Sequence, residues 1–184
     1  MAEPQRVQVP VSATLTSVPR YQTIDQRAMR SVLGMFATGI TVVTAGGDVP
    51  HGMTANAFSS VSLEPPLVLV CIGREAVMHD TITDHGAFAV SVLRGCQEQV
   101  ARHFANRRRP RGVAQFDAVD WVPGSSTGAP VLVGGLAWLE CELETTYDGG
   151  DHSIFVGRVL DTGHSDERDA LLFFGGGYHR LVGE

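Results

Sequence analysis

The chain has 184 residues, 43% of them apolar and 18% charged, and a net charge of −6 at neutral pH. That length holds one domain with a real core, and the acidic balance argues against general nucleic-acid binding. There is no lysine, so all 14 basic residues are arginines, which excludes a P-loop lysine and a Schiff-base lysine alike.

No apolar run approaches the roughly 18 residues of a membrane span, and the stretch 1–19 lacks the basic-then-apolar order of a signal peptide. A cytoplasmic protein with no membrane attachment is expected. Cys71, Cys96 and Cys141 are odd in number and show no metal-ligand spacing. They read as small buried hydrophobes in a reducing compartment. Residues 1–22 scatter Pro, Gln, Ser and Thr without period, which predicts a flexible arm ahead of a single domain over 23–184.

Thr23 or Asp25 can cap a helix whose Met29, Val32, Leu33 and Phe36 fall at i, i+3, i+4 and i+7, the spacing of one buried stripe. Ile40 to Ala45 is a β-branched strand, and Gly46-Gly47-Asp48 reads as a hairpin turn into a strand that starts near His51. Val77 to His85 reads as a short helix closed by a left-handed Gly86. Ala87 to Leu93 is a strand and Cys96 to Phe104 a helix. Leu136 to Thr146 and His152 to Leu160 are strands joined by a turn at Asp148-Gly149-Gly150-Asp151. Five to seven strands at short spacing with a few short helices predict a mainly β, antiparallel barrel.

Between these elements lies a stretch with two unlike halves. Thr54, Asn56, Ser59, Ser60 and Ser62 crowd the first half, which composition alone reads as a surface loop. Leu67 to Ile72 reads as a strand buried on both faces, and Glu64-Pro65-Pro66 separates the halves. Short hydroxyl and amide side chains before a core strand also suit a flat polar heterocycle, because they bond it without filling its space. Arg107-Arg108-Arg109-Pro110-Arg111 is the one dense basic cluster. It reads as a solvated loop, the alternative being an anion site for a flavin phosphate or a partner surface.

The run MTANAFSSVSLEPPLVLVCIG (53–73) resembles the signature of the short-chain flavin reductases, the NAD(P)H:flavin oxidoreductases that serve two-component flavin-dependent monooxygenases. MRSVLGMFATGITVVT (29–44) and GDHSIFVG (150–157) extend the resemblance, in the right order, from about residue 25 onward. It implies a flavin-binding split barrel with Greek-key-like antiparallel strands, usually a homodimer. It also implies hydride transfer from NADH or NADPH to free FAD (favoured) or FMN, with a separate monooxygenase taking the reduced flavin. Such chemistry needs stacked rings and oriented donors rather than an acid, a base or a metal, so no catalytic side chain is named.

Carried over by the resemblance, Met53, Thr54, Ala55 and Asn56 face the flavin ring, and Ser59, Ser60 and Ser62 its ribityl chain or phosphate. Gly73 and Arg74 match a phosphate-facing loop, with Arg74 suited to a pyrophosphate. Arg102 and Phe104 fall in another flavin-contacting segment. His152 alone reads as a turn histidine opening a strand; inside GDHSIFVG it matches the histidine that contacts the nicotinamide nucleotide. Tyr178, His179 and Arg180 resemble a C-terminal segment near the same pocket, or form a solvated tail.

No Gly-x-Gly-x-x-Gly follows a strand, so a Rossmann unit is not expected. His51, His79, His85, His103 and His164 lack ligand spacing, and no metal is expected. A flavin-binding electron carrier is the alternative function. A pyridoxamine-phosphate oxidase-like enzyme is disfavoured by the missing lysine.

Overall fold

The computed structural model describes residues 24–183 apart from Asp48. The proposed arm, Thr23 and Asp48 of the hairpin turn lie outside the described residues. Twelve strands and three α-helices occur among them: α1 (Gln26–Leu33), β1 (Thr38–Gly39), β2 (Thr41–Ala45), β3 (His51–Ala55), β4 (Phe58–Leu63), β5 (Pro66–Gly73), α2 (Val77–His85), β6 (Ala87–Val92), α3 (Glu98–Ala105), β7 (Trp121–Pro123), β8 (Pro130–Leu132), β9 (Ala137–Gly149), β10 (His152–His164), β11 (Asp169–Phe174) and β12 (Gly177–Val182). The strand count exceeds the expected five to seven because β1, β7 and β8 are too short to show a period. A second reason is that much of the polar 54–62 stretch is strand rather than loop.

Seven strands form one antiparallel sheet in the order β3-β2-β6-β9-β10-β5-β4. Its two edges, β3 and β4, are consecutive in the chain and only Asn56 and Ala57 join them. A link that short brings the edges together, so the sheet must curl round on itself, while β3 and β4 form no ladder. This is the split barrel that the resemblance implies. A second sheet, β1-β11-β12, and the hairpin β7-β8 pack outside it.

Strand β2 is buried along its whole length and divides two cores. Val43 and Ala45 point into the barrel with Val70, Ile72, Phe88 and Phe155, whereas Val42 joins Leu93, Phe104, Phe116 and Leu171 outside it. A strand with both faces covered reads as an unbroken β-branched run. The expectation that Leu67–Ile72 is such a strand is corrected: Val68, Val70 and Ile72 are buried, but Leu67, Leu69 and Cys71 on the other face are only half-buried.

Asp25 caps α1 by accepting the Ala28 amide at 3.0 Å, and Gly86 closes α2 with φ 70° and a bond to the Ile82 carbonyl. Helix α1 nonetheless buries nothing. Met29 is 44% exposed and Phe36 75%, with Val32 and Leu33 between them. The expected buried stripe exists as spacing and finds no partner among the described residues. The cysteines divide as well: Cys141 is buried, Cys71 half-buried and Cys96 exposed. Burial, then the neighbouring Glu140, push the Cys141 thiol up to about 12, which leaves it inert.

Candidate functional site

Where the barrel edges meet without a ladder, a cleft of about 930 Å³ opens. It is walled by β3 and the Asn56-Ala57 link, by the end of β5 and the start of α2, and by the turn before β10. The Cys71 amide donates to the Ala57 carbonyl at 3.0 Å and pins the link against β5.

The register of β3 determines what its free edge offers. Strand β2 pairs along one side, with Ala45 opposite His51, Val43 opposite Met53 and Thr41 opposite Ala55. Gly52 points its backbone the other way: its N–H donates to Gln115 Oε1 at 2.8 Å and its carbonyl accepts from Arg109 Nη2. By the same alternation the amide and carbonyl of Thr54, two residues on, also face outward, into the cleft. An edge strand with open backbone groups is a ready template for a ligand. The Thr54 hydroxyl is committed, since it donates to the Ala101 carbonyl at 2.6 Å. Asn56 donates through Nδ2 to Thr38 Oγ1 at 3.2 Å. Thr54 therefore offers backbone to a ligand rather than its side chain.

The segment after α3 covers the rest of that edge. Gln115 is fully buried and fully bonded; besides Gly52 it reaches the carbonyls of Pro50 at 2.8 Å and Gly112 at 2.9 Å. Arg109 donates to the Asn106 carbonyl and to His51 Nε2 at 3.0 Å, and burial lowers its pKa. The solvated-loop reading of 107–111 is thus corrected for Arg109, whose guanidinium supplies the donors that an uncovered strand edge needs. Arg107 and Arg111 remain exposed and line the cleft beside it. His51 sits under two positive charges. Burial first, then Arg109 and Arg111, depress its pKa to about 4, so its imidazole is neutral at ordinary pH.

The opposite wall carries His152. Its Nδ1 lies 2.7 Å from Asp151 Oδ1, and it pairs across the sheet with Gly73. The His152 hydrogen bond is the main reason Asp151 titrates below the usual carboxylate range. Arg74 is held by the same turn, donating to the Gly150 carbonyl at 2.9 Å and pairing with Asp148 at 3.1 Å. The Gly150 amide and then Arg74 hold Asp148 low in turn. Arg74 is accordingly part of a built wall rather than a free guanidinium.

Of the residues singled out in the sequence, Met53, Thr54, Ala55, Asn56, Gly73, Arg74, Phe104 and His152 line the cleft. Phe104 does so from below, fully buried under Gly52. The others fall outside it. Ser59, Ser60 and Ser62 lie on the edge strand β4, where Ser62 Oγ accepts the Glu64 amide. Arg102 pairs with Glu98 and stacks over Tyr178 at 4.8 Å, while Arg180 binds Asp169 through two contacts. Sequence reasoning missed His51, Gln115 and Arg30, all tied to the cleft or its edge. Strand alternation flags His51 as sharing a face with Met53, but nothing local marks Gln115. No group of three or more His, Cys, Asp or Glu suited to a metal ion occurs among the described residues, and no described helix is long and apolar enough to cross a membrane.

Residues 33–182 match the Flavin reductase like domain. The chain belongs to the flavin reductase family. It is 54% identical, over 86% of its length and 87% of the relative's, to an NADH-dependent FAD reductase of Streptomyces globisporus. It is 39% identical to the reductase subunit of a flavin-dependent monooxygenase of Rhodococcus jostii (strain RHA1), over 85% of this chain and 78% of that one. Among solved structures it resembles the flavin reductase component of a bacterial two-component tryptophan halogenase, with TM-score 0.84 and 52% identity over 87% of this chain and all (100%) of that one. An NADH:FAD oxidoreductase of Streptomyces globisporus C-1027, solved with NAD and FAD fragments, gives TM-score 0.80 and 49% identity over 88% of this chain and 98% of that one. The donor set suits a flavin nucleotide: an open backbone edge and alanines leave room for a flat ring, and the lining arginines supply guanidinium donors of the kind an anionic tail needs.

Proposed function

We propose that this flavin reductase transfers a hydride from NADH to a flavin, FAD ahead of FMN, and releases the reduced flavin to a separate flavin-dependent monooxygenase. The observation that carries the reading is the unpaired edge at Thr54, which faces into a cleft whose other wall presents His152. A flavin bound there supplies the ring that accepts the hydride. The outward amide at Thr54, with the link that follows, would hold the polar edge of that ring and supply fixed dipoles that need no rearrangement. Met53, Ala55 and the link at Asn56 would line the ring's place, and Phe104 supports β3 from beneath. His152, held by Asp151 beside Gly73, would contact the nicotinamide nucleotide. The carbonyl of Gly150 and the carboxylate of Asp148 keep Arg74 at the side of that site.

NADH and FAD are preferred on the strength of the 54% identical relative, which is named for both. The reading includes a homodimer, supported by the apolar face of α1 that no described residue covers. It also includes a cytoplasmic location, where reduced nicotinamide is abundant, and one catalytic domain from about residue 23, near where the family match begins.

Purified protein mixed with NADH or NADPH, and with FAD, FMN or riboflavin, tests this by nicotinamide absorbance. Oxidation that depends on flavin and proceeds without any oxygenase substrate is expected. Oxidation only when an aromatic hydroxylation substrate is added would overturn the reading.

A further inference from the structure

Ser153 is a hydroxyl inside the barrel. It is 2% exposed, directly follows His152 on β10, and shares the inner face of that strand with the buried Phe155. Its Oγ lies 2.9 Å from His79 Nε2 on α2. The His79 ring stands edge-on to Phe155, with centroids 5.1 Å apart, and only 19% of the side chain is exposed. Met78 and Ile82 of the same helix are fully buried in the barrel core. A serine hydroxyl both donates and accepts, so its bond to His79 holds with either imidazole tautomer. The other ring nitrogen reaches Asp80 Oδ1 at 3.4 Å, on a carboxylate that is 82% exposed.

Stability alone does not account for this pair. Each polar group gives up water to bond the other, and two apolar side chains of similar shape would hold the core about as well. What the bond does is join α2 to the start of β10. On the outer face of that strand the His152 ring lies over Gly73, where a β-carbon would stand 3.7 Å from its Nε2. Helix α2 begins just beyond Gly73, and Ala76 and Val77 at its head line the cleft with His152. Backbone bonds fasten these turns as well: the Ala76 amide donates to the Gly73 carbonyl and the Arg74 amide to the Asp151 carbonyl, both at 3.0 Å. His79 and Ser153 supply the matching fastening from inside the barrel.

We infer that His79 is a positioning residue for NADH use: through Ser153 it holds the start of β10 against α2, and with it the His152 ring over Gly73. Neither His79 nor Ser153 lines the cleft, so the effect passes through His152. Asp151 holds the ring of His152, and His79 holds the strand that carries it. The inference rests on the proposed flavin reductase function and adds a residue to its nicotinamide side.

The test replaces both partners at once, so that no buried polar group is left unpaired. In the double variant His79→Leu with Ser153→Ala, kcat/KM for NADH should fall about fivefold, the worth of one neutral hydrogen bond. Flavin affinity and the urea midpoint should stay close to wild type. His79→Gln, whose amide nitrogen reaches the place of Nε2, should restore NADH use. The same double change made on His152→Ala should cost nothing further, because the ring it positions is already gone. A lowered urea midpoint or a failure to fold makes the pair structural and overturns the inference. Unchanged NADH kinetics, an equal loss of flavin affinity, or a full further loss on His152→Ala overturns it too. Failure of the reductase reading itself is distinct, because it shows as wild-type protein that binds flavin without oxidising NADH.

Discussion

Gly52 lies so close to Phe104 that a β-carbon at position 52 would stand 2.6 Å from the ring Cε1 and 2.8 Å from Cδ1. The ring is fully buried between β3 and Phe116 and has nowhere to retreat. Gly52 also gives both backbone groups to Gln115 and Arg109. We predict that Gly52→Ala destabilises the fold by about 1–3 kcal/mol, the usual cost of overpacking. Because β3 must move away from α3, the Thr54 edge moves with it. Denaturant unfolding checks the first effect and a flavin titration the second. Unchanged values in both would show that this contact does not set the strand's position.

His152 stands on the opposite wall from that edge, and its substitution separates the two ligands. His152→Ala is expected to weaken NADH use and leave flavin affinity nearly intact. A lost stacking or hydrogen-bond contact is worth on the order of 1 kcal/mol or somewhat more, a several-fold to tens-fold drop in kcat/KM for NADH. Steady-state kinetics with varied NADH, beside flavin titrations, measure the split. Parallel loss of flavin affinity would move His152 into the flavin site.

Local pattern carried much of this architecture. Asp25 before an apolar stripe, Gly86 after α2 and the β-branched run at Ile40 to Ala45 each declare an element through forces acting within a few residues. The cleft was legible on the sides formed by continuous sequence, Met53 to Asn56 and Gly73-Arg74. Its basic corner was not. Arg109 looks like one of several solvated arginines until β3 is seen to need a cover for its outer edge, and Gln115 lies 63 residues from the amide it satisfies. Serines 59, 60 and 62 lie on the edge strand β4, where composition alone suggests a loop. Tyr178 and Arg180 are tied to the outer sheet by partners distant in sequence, Arg102 and Asp169, which no local motif announces.

Acid should loosen the structure through His51. In the unfolded chain its imidazole takes up a proton near 6.5, while in the fold it does so only at about 4. Between those values the unfolded state holds more protons, so the contribution is complete above 6.5 and is lost as pH falls toward 4. A shift of that size corresponds to at most about 3 kcal/mol, and the partial exposure of the ring reduces it to about 1–2 kcal/mol. Urea titrations at steps through this window, on wild type and His51→Gln, isolate the effect from the carboxylates common to both. The stability difference between the two proteins should change with pH across the window and level off on either side. A constant difference would mean that His51 is not held neutral.

The last prediction concerns the helix that buries nothing. Met29, Val32 and Leu33 are exposed on α1, and Met35, 65% exposed, and Phe36 extend the apolar patch in the turn that follows it. Leaving such a stripe in water is unfavourable, and patches of this kind usually mark an interface. A second copy covers the same stripe on both subunits at once, the commonest closed arrangement. Helix α1 is also tied to the site: Arg30 on its polar side lines the cleft, and the Gly175 amide anchors its end at the Gly34 carbonyl, 2.8 Å away. The wild type should therefore sediment as a dimer at low micromolar concentration. Val32→Glu combined with Phe36→Glu should give a monomer, since each buried carboxylate would lack a partner across the interface. Displacing α1 should also weaken flavin or NADH binding several-fold through Arg30, while Arg30→Ala alone should weaken binding and leave the dimer intact. Analytical ultracentrifugation of the three proteins, with ligand titrations alongside, distinguishes these outcomes. A wild-type monomer with full reductase activity would show that α1 needs no second chain.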